Sequence, residues 1–448
     1  MSLTNYTLQQ KKIRALLVRS VIWSTLISVL AISYSQYQFH SSIPDLYFYQ
    51  TLKTTWYTSK WSLIQILHSL GAPMVNFSLL GSWIETHEHS IWSFWENLHN
   101  TTNTTKILPI PTIDLSQHPT GSKESLQKLT LYFQTLDLNQ PLLIRNLWDK
   151  SILTSSNRSL SLHGLQQPPF SNITIDYFQD ATLIQNTKSN DTYSGVLKPN
   201  GKALLGEIVK NITIENGNQK FGSQIPLEQY PHYIQELLPK EYVTLFTNTF
   251  GDYFSPDRIQ HSGPFGLFPG RTTVPLFLAG GNSQSKQHDC RKNNHEDDVE
   301  DPSIQYCSYS SPQPRTDLHS EPIGNIAIQL YGEKRWRLIS SKYSYLLQPS
   351  ISRHGRAFFY SHLQPSNQFD PTSSMKLPTP HYDLITNAGD ALWIPPWMWH
   401  RVDYIQDSIA LAASIFQFRP LEFMTHNHLF AILVIPNLIK ELLRTQTE

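Results

Sequence analysis

The sequence predicts a mainly β protein with flanking helices, arranged as a sandwich or barrel of short strands. From Leu245 onward, short apolar stretches alternate with turn residues, which is typical of such folds. Helix-like apolar spacing precedes and follows this region. Hydrophobic residues make up 40% and aromatic residues 12% of the 448 residues, which supplies a core and excludes wholesale disorder. The candidate strands are Val274–Ala279, Asn325–Tyr331, Arg335–Ser340, Ala391–Ile394, His400–Tyr404 and Ser408–Phe418.

The charge balance excludes one broad functional class. Lys+Arg and Asp+Glu both number 35, and charged residues are 16% of the chain, against roughly 25% in an average soluble domain. A nucleic-acid-binding protein that works through a broad basic surface would carry an excess of positive charge. We therefore expect no nucleic-acid partner. Two cysteines are too few for a disulfide framework or a four-cysteine zinc site.

The N-terminal region predicts a membrane anchor. Residues 1–19 form a basic tail, and residues 20–39 are apolar and uncharged. A membrane-spanning helix needs about 20 such residues, and the basic flank stays in the cytosol. We expect a signal anchor that places the rest of the chain in the lumen. A cleaved signal peptide and a buried helix of a soluble protein are the alternatives.

Glycosylation signals agree with a lumenal location. The Asn-x-Ser/Thr pattern recurs after the apolar segment as far as Asn211 and is absent beyond it. Glycans are tolerated on an outer surface and not around a packed site. We expect a single-pass glycoprotein of the endoplasmic reticulum or Golgi. Asn5 also fits the pattern but lies in the basic tail; the other sites are Asn76, Asn100, Asn103, Asn157, Asn172, Asn190 and Asn211.

The remaining chain divides into three segments. Residues 40–106 predict a tryptophan-rich helical stem that packs on the following domain. Its His87-Glu88-His89 sequence resembles a metal motif, but we interpret it as a solvated helix end. Residues 107–420 predict the main domain, and residues 421–448 an apolar helical pair. Near its start, the main domain is expected to contain a short strand within Ile107–Asp114, a helix over Ser122–Leu136 and a strand over Pro141–Ile144.

A polar insertion over residues 280–315 interrupts the main domain. It contains both cysteines, Cys290 and Cys307. A disulfide between them would suit an oxidising lumen. Metal binding by His288, Cys290 and His295 is the alternative for this segment.

Two blocks carry the candidate chemistry. In the first, His319 and Glu321 are two residues apart on a predicted strand, so both side chains point to the same face. In the second, a Pro395-Pro396 corner leads to His400. Two histidines and one carboxylate can bind iron(II) on one side and leave positions open. Competing accidental matches are His295-Glu296-Asp297 and His381-Tyr382-Asp383.

Together these blocks resemble the JmjC and cupin-like family of iron(II)- and 2-oxoglutarate-dependent oxygenases. The first block is Thr316-x-x-His319-x-Glu321, then Asn325 and Gly332-x-Lys334-Arg335-x-x-Leu338. The second is Gly389-Asp390-x-x-x-Ile394-Pro395-Pro396-x-x-x-His400-x-Val402. The two histidines are 81 residues apart. The chain is most similar to the smaller, hydroxylase-like members, and the resemblance implies a double-stranded β-helix (jelly-roll, cupin) core.

The resemblance also implies roles for individual residues. His319, Glu321 and His400 would bind Fe(II). Lys334, fifteen residues after His319 on the neighbouring strand, would pair with the far carboxylate of 2-oxoglutarate, with Thr316 adding a hydroxyl. Asn325 would line the pocket. Many hydroxylase members have Asp where this chain has Glu321. The tryptophans of the second block, Trp393, Trp397 and Trp399, are expected to pack the barrel.

The implied activity is hydroxylation of a protein or peptide side chain, coupled to conversion of 2-oxoglutarate and O2 into succinate and carbon dioxide. A non-catalytic binding or scaffold protein with the same fold is the alternative, and a lysine demethylase is disfavoured by the anchor and the neutral charge. In related hydroxylases the C-terminal helices form a homodimer. Packing of these helices into the core is an equal interpretation.

Overall fold

The protein forms two β-sheets that pack face to face, with helices on their outer faces. The computed structural model describes residues 48–69, 78–99, 106–155, 158–179, 201–213, 221–250, 274–280, 315–352, 356–362, 379–404 and 409–443. The prediction of a mainly β fold with flanking helices is confirmed. The strands are β1 (Thr112–Asp114), β2 (Leu142–Arg145), β3 (Thr174–Gln179), β4 (Gly201–Leu204), β5 (Phe221–Pro226), β6 (Pro275–Gly280), β7 (Arg315–Ser320), β8 (Gly324–Tyr331), β9 (Glu333–Ile339), β10 (Pro349–Ile351), β11 (Phe359–Ser361), β12 (Tyr382–Asn387), β13 (Ala391–Ile394), β14 (Trp399–Tyr404) and β15 (Ala410–Gln417).

Helices occur mainly before β6 and after β15. A 3-10 helix, Ser341–Leu347, follows β9. The α-helices are α1 (Phe48–Ser69), α2 (Ser78–His99), α3 (Lys123–Phe133), α4 (Lys150–Leu153), α5 (Leu205–Thr213), α6 (Pro231–Ile234), α7 (Lys240–Phe250), α8 (Pro420–His426), α9 (His428–Leu433) and α10 (Ile435–Leu443).

The sheets have nine and six strands. Their orders are β1-β2-β13-β8-β15-β6-β5-β3-β4 and β10-β11-β7-β14-β9-β12. Strands that follow one another in sequence, such as β7, β8 and β9, alternate between the sheets. The inner core between the sheets draws on both of them, for example Ala327 and Leu392 from the larger and Trp336 and Val402 from the smaller. The result is a β-sandwich whose inner face is the place where a site can form.

The helices cover the outer faces. Phe133 of α3 and Phe246 of α7 pack behind the larger sheet, and α1, α2 and α9 pack behind the smaller one. Trp393 belongs to the first of these outer clusters, and Trp397 and Trp399 belong to the second. All three tryptophans are fully buried. They pack on the outer faces of the sheets and not in the interior of the barrel.

A buried acidic turn joins β12 to β13. Asp390 accepts hydrogen bonds from the backbone N–H groups of Asn146 at 3.1 Å and Asn387 at 2.8 Å, and it forms an ion pair with Arg145. Gly389 precedes it with φ +96, and a Cβ there would lie 2.5 Å from the carbonyl oxygen of Trp148. Only glycine fits this turn. It fixes the start of β13, which leads to the Pro395-Pro396 corner.

The stem helices close one edge of the smaller sheet. The edge strand is β10, whose outer backbone groups would otherwise lack partners. The Trp61 indole donates to the carbonyl oxygen of Pro349 at 3.0 Å, and the Ile351 N–H donates to Gln65 Oε1 at 2.8 Å. Two side chains one helical turn apart on α1 thus replace a neighbouring strand. This agrees with the expectation that the stem helices pack on the domain that follows them.

The prediction of a solvated helix end at Glu88 is wrong. Glu88 is buried on α2, and its Oε1 lies 2.9 Å from His68 Nε2 and 3.3 Å from Gln65 Nε2. The reason is that α1 and α2 form an antiparallel pair that presses this residue against β10. The Glu88 carboxylate therefore joins the two stem helices to the sheet.

Two further expectations need correction. The region of short strands, expected from Leu245 onward, begins later, because Lys240–Phe250 form α7: Tyr242, Phe246 and Phe250 recur every four residues and are buried on one helical face. The C-terminal segment contains three short helices, α8 to α10, where a pair was predicted. The α8 helix ends just before Asn427, whose side chain caps α9 by accepting from the Phe430 N–H at 3.1 Å.

The predicted anchor, residues 20–39, lies outside the described residues, and so do most of the glycosylation signals. Among the helices that the structure does describe, none has the length and apolar character needed to cross a bilayer. Asn172 and Asn211 are described, and both are exposed. Membrane attachment, glycosylation and the segment boundaries thus stay predictions.

Candidate metal centre

Two histidines and one glutamate converge on the inner face of the smaller sheet. His319, Glu321 and His400 each offer a ligand atom, and these atoms all lie within 4.8 Å of one another. His319 Nε2 and Glu321 Oε1 are 3.8 Å apart. The imidazole rings have centroids 4.1 Å apart. The structure therefore brings together the three residues that the sequence analysis selected, although they span 81 positions.

Strand register produces this convergence. β7 and β14 are antiparallel neighbours, and His319 pairs directly with His400 across them. Directly opposed residues share a face of the sheet. Glu321 lies two residues beyond His319, just past the end of β7, so its side chain returns to the same side.

The hydrogen bonding of His400 leaves one ring nitrogen for a ligand bond. Its Nδ1 lies 3.0 Å from the carbonyl oxygen of Met398. A carbonyl oxygen can only accept, so Nδ1 carries the hydrogen and Nε2 keeps its lone pair. Burial, and in second place the nearby His319, lower the pKa of His400 well below its usual value. Its imidazole is therefore neutral at physiological pH, as a metal ligand must be.

A nearby cation would stabilise the ionised form of the Glu321 carboxyl group. Burial raises the pKa of its carboxyl group, and His319 only partly offsets this. A positive ion among the three side chains would favour the ionised form. Two imidazoles and one carboxylate form the donor set that suits iron(II) with open coordination positions.

Lys334 lies deeper on the same face. It is on β9, which pairs with β14 and β12, not with the strand that carries His319. The expectation of a strand next to His319 was therefore wrong, because β14 lies between them. Lys334 pairs with Tyr404, four residues along β14 from His400.

The Lys334 ammonium group is buried, with aromatic rings around it. Its Nζ lies 4.8 Å from the ring centroid of Tyr404 and 5.3 Å from that of Phe277. Burial lowers the pKa of Lys334 to about 7. Among the described residues, Lys334 has no carboxylate partner. A buried cation in this position fits an anionic ligand.

The two other predicted pocket residues come from different sheets. Thr316 on β7 pairs with Val402, whose side chain belongs to the inner core, with a bulge between this pair and the histidine pair. Asn325 is on β8 of the larger sheet, two residues before the inner-core residue Ala327, so both side chains are on the same face of the strand. Asn325 Oδ1 is buried without a hydrogen-bond partner. An unpartnered buried oxygen facing the inner core is consistent with a site that accepts a polar group.

Several aromatic residues near the site were missed by the sequence analysis. Phe358 meets the His319 ring edge to face at 6.1 Å, and Tyr360 pairs with His319 across β11 and β7. No local motif marks these two. Tyr404 could have been found, because residues 400, 402 and 404 alternate on one predicted strand and share a face.

The competing motifs do not form a second metal centre in the described residues. His381 is buried with Nδ1 3.1 Å from the carbonyl oxygen of Thr379. Asp383 is held by Arg335, 2.7 Å away, and by Arg337 at 3.5 Å. His288, Cys290, His295 and Cys307 lie outside the described residues, so the disulfide and metal alternatives for that segment stay predictions.

The β-sandwich and its His-Glu-His cluster can be compared with known protein families. Residues 290–422 match the sequence model of the JmjC domain. This stretch includes His319, Glu321, Lys334 and His400. This region of the chain is therefore similar to the JmjC domain, in agreement with the sequence motifs.

A curated relative shows the same similarity. The chain is similar to JmjC domain-containing protein D of Dictyostelium discoideum, with 31% identity over 125 residues. The match covers 28% of this chain and 26% of the relative. The chain thus spans about a quarter of the length of that relative, and the similarity is confined to one region.

Proposed function

We propose that this protein is an iron(II)- and 2-oxoglutarate-dependent oxygenase that hydroxylates a protein side chain. The observation that carries the proposal is the buried Lys334 ammonium group, which has no acidic partner in the part of the chain that the structure describes and lies on the same inner face as the His319–Glu321–His400 cluster. A set of three metal-ligand side chains alone would suit many functions. Such a set on the same face as a buried lysine suits a metal-bound ligand with a distal carboxylate.

Each residue has a distinct role in this proposal. His319, Glu321 and His400 would hold Fe(II), which supplies oxidation chemistry with O2 when bound. Lys334 would pair with the distal carboxylate of 2-oxoglutarate, and Thr316 would donate a hydrogen bond to it. Asn325 would satisfy its orphaned oxygen within the same pocket. The inner-core residues, such as Leu384 and Val402, would exclude water from the reacting groups.

A scaffold protein with the same fold is the alternative from another class. Such a protein would not need three ligands in register together with a buried lysine, which costs stability. The retained set favours an enzyme. A lysine demethylase is a weaker candidate on the grounds of charge and predicted location given above.

The test measures ligand binding and turnover in the full-length protein. We expect 2-oxoglutarate to bind in the presence of Fe(II) and to be converted into succinate. His319→Ala should abolish both, and Lys334→Met should abolish binding of 2-oxoglutarate but not of the metal. His381→Ala is the matched control, since His381 is a buried histidine outside the cluster. A wild-type protein that binds the metal but not 2-oxoglutarate would favour the scaffold.

The proposed location is the lumen of the endoplasmic reticulum or Golgi, with residues 20–39 as the anchor. The uncharged apolar segment and the one-sided distribution of glycosylation signals support it. The exposed positions of Asn172 and Asn211 are compatible with glycans. Expression in a eukaryotic cell should give a protein that loses mass on glycosidase treatment and resists carbonate extraction. A protein without glycans in the cytosolic fraction would contradict this location.

A homodimer through the C-terminal helices is also proposed. One side of these helices packs in the core through Phe423 and Phe430. Leu421 and Ile439 instead expose 71% and 50% of their surface. Light scattering of the full-length protein should give twice the chain mass, and the double variant Leu421→Glu/Ile439→Glu should give the monomer mass. A monomeric wild type would leave core packing as the role of these helices.

A further inference from the structure

We infer that Trp397 is a positioning residue that holds Glu321 in place for the metal. This inference rests on the metal site of the proposed function. Trp397 is at the corner after Pro395 and Pro396, and it does not itself offer a ligand atom. It acts through hydrogen bonds to Ser320, the last residue of β7, and to the backbone of Glu321, the residue that follows.

A pair of hydrogen bonds connects Trp397 to this backbone. The Trp397 N–H donates to the carbonyl oxygen of Glu321 at 2.7 Å. The Ser320 hydroxyl donates to the carbonyl oxygen of Trp397 at 2.9 Å, and Ser320 is fully buried. One residue thus accepts from Ser320 and donates to Glu321. This clamp fixes the chain where β7 ends and Glu321 begins.

The clamp requires an unusual backbone conformation. Trp397 has φ +62, in the left-handed region that bulky residues rarely occupy. Such a conformation persists only where the surroundings determine it, and it is concentrated at functional sites. Here it lets the N–H and the carbonyl group of a single residue serve the two consecutive residues Ser320 and Glu321.

Packing and a hydrogen bond of the Trp397 side chain stabilise this backbone conformation. Its ring is fully buried against Phe359, Phe423 and Phe430. Its indole N–H donates to the carbonyl oxygen of Phe423 at 2.7 Å. The side chain is therefore fixed in position and direction. Since Phe423 is on α8, the C-terminal helices support the metal centre through Trp397.

The consequence concerns the spacing of the metal-ligand side chains. With the clamp intact, the Glu321 carboxylate lies 3.8 Å from His319 Nε2. Groups that do not touch the metal but hold its ligand residues in position typically contribute 10- to 100-fold to metal affinity. Loosening Trp397 should let Glu321 move and weaken binding without removing any ligand.

The test uses Co(II) alone as the probe of the full-length protein. Its affinity is measured by calorimetry and its coordination by visible absorption. Trp397→Phe removes the indole hydrogen bond and keeps most of the ring packing. Ser320→Ala removes one bond of the clamp. Trp399→Phe is the matched control, because Trp399 is buried in the same cluster and its indole donates to Ser344 Oγ at 2.8 Å.

We expect Trp397→Phe and Ser320→Ala to weaken Co(II) binding about tenfold or more and to change the absorption spectrum. Trp399→Phe should lose comparable thermal stability and bind Co(II) as the wild type does. Wild-type Co(II) affinity and a wild-type absorption spectrum in all three variants would overturn the inference and leave the proposed metal site intact. If Trp397→Phe does not fold, Ser320→Ala decides by itself. A wild type that binds no Co(II) would overturn the metal site and this inference together.

Discussion

The Lys334 ammonium group lies over the ring of Tyr404, 4.8 Å from its centroid, at the inner end of the candidate site. The aromatic face attracts the cation, but it does not replace the lost hydration. Burial consequently lowers the pKa of Lys334 to about 7 from the ordinary value of 10.5. The protein thus maintains a cation at a cost in stability, and several measurable consequences follow from this cost.

Replacing Lys334 with Met should stabilise the ligand-free protein. The folded state binds fewer protons than the unfolded state between about pH 7 and 10.5, so wild-type stability rises with pH across this range and is lowest below it. Lys334→Met removes the buried charge and should raise the free energy of unfolding at pH 6 by roughly 2–4 kcal/mol. Urea unfolding at pH 6 and pH 9 measures this, and the gain should shrink at the higher pH. A destabilised variant at both pH values would show that Lys334 contributes to the fold by itself.

The affinity for 2-oxoglutarate should fall as pH rises above 7. Its distal carboxylate pairs with protonated Lys334, and this form is lost as pH passes the pKa of about 7. Between pH 7 and 8.5 the affinity of the metal-loaded protein should decrease about tenfold. Lys334→Arg should flatten this dependence, since arginine stays protonated. Calorimetric titration at several pH values gives both curves. The same slope in Lys334→Arg would assign the pH dependence to another group.

A divalent transition metal should stabilise the protein through the His-Glu-His cluster. Binding to the folded state alone raises the unfolding free energy by about 2.7 kcal/mol at a concentration 100 times the Kd. We expect a rise in Tm with Co(II) that is reversed by a chelator. His319→Ala should abolish this rise and His381→Ala should retain it. A rise that persists in His319→Ala would place the metal elsewhere.

Removing Glu88 should destabilise the contact between the stem helices and the smaller sheet. Glu88→Ala leaves His68 and Gln65 buried without their shared carboxylate partner. Loss of one member of a buried pair typically costs 3–5 kcal/mol, so we expect a loss on the order of 3 kcal/mol in chemical unfolding. Glu124→Ala, at an exposed glutamate of α3, is the control and should cost well under 1 kcal/mol. Equal effects of the two changes would mean that the Glu88 contacts contribute nothing to stability.

The Gln65 side chain should protect the edge of the smaller sheet from hydrogen exchange. Gln65→Leu removes the acceptor of the Ile351 N–H and leaves this edge group unpaired. Exchange at Ile351 should accelerate at least tenfold, and exchange in β14 should stay unchanged. Ser62→Ala is the control on the same helix, because among the described residues Ser62 donates a local hydrogen bond, to the carbonyl oxygen of Thr58. Unchanged exchange at Ile351 would show that another group protects this edge.

Local patterns predicted much of the fold. The strand Ala391–Ile394 has the predicted bounds, and β14 begins one residue before its prediction. Both depend on alternation and turn residues within a few positions. The helix α7 was missed although its signal is local: apolar residues recur every four positions over Tyr242–Phe250. Strands β3, β4 and β5 have weak patterns and are held by pairing with other strands: β5 pairs with β6, β3 with β5, and β4 with β3.

The burial of Glu88 could not be read from neighbouring residues. His87-Glu88-His89 is polar, and polar residues usually face solvent. Only the pairing of α1 with α2 and β10 turns Glu88 inward, and its partner Ser350 is 262 residues away. Burial of a polar group depends on partners that a local window does not contain.

The sequence by itself identified the candidate site groups: an imidazole and a carboxylate two residues apart, a lysine fifteen residues after the imidazole, and a further histidine after a double proline. Tertiary structure alone decided that His400 lies directly opposite His319, and that β14 separates the strand of Lys334 from the strand of His319. The physical reason is that spacing along one strand fixes a face, whereas register between distant strands fixes a distance. Register is set by hydrogen bonds and core packing across the whole sheet.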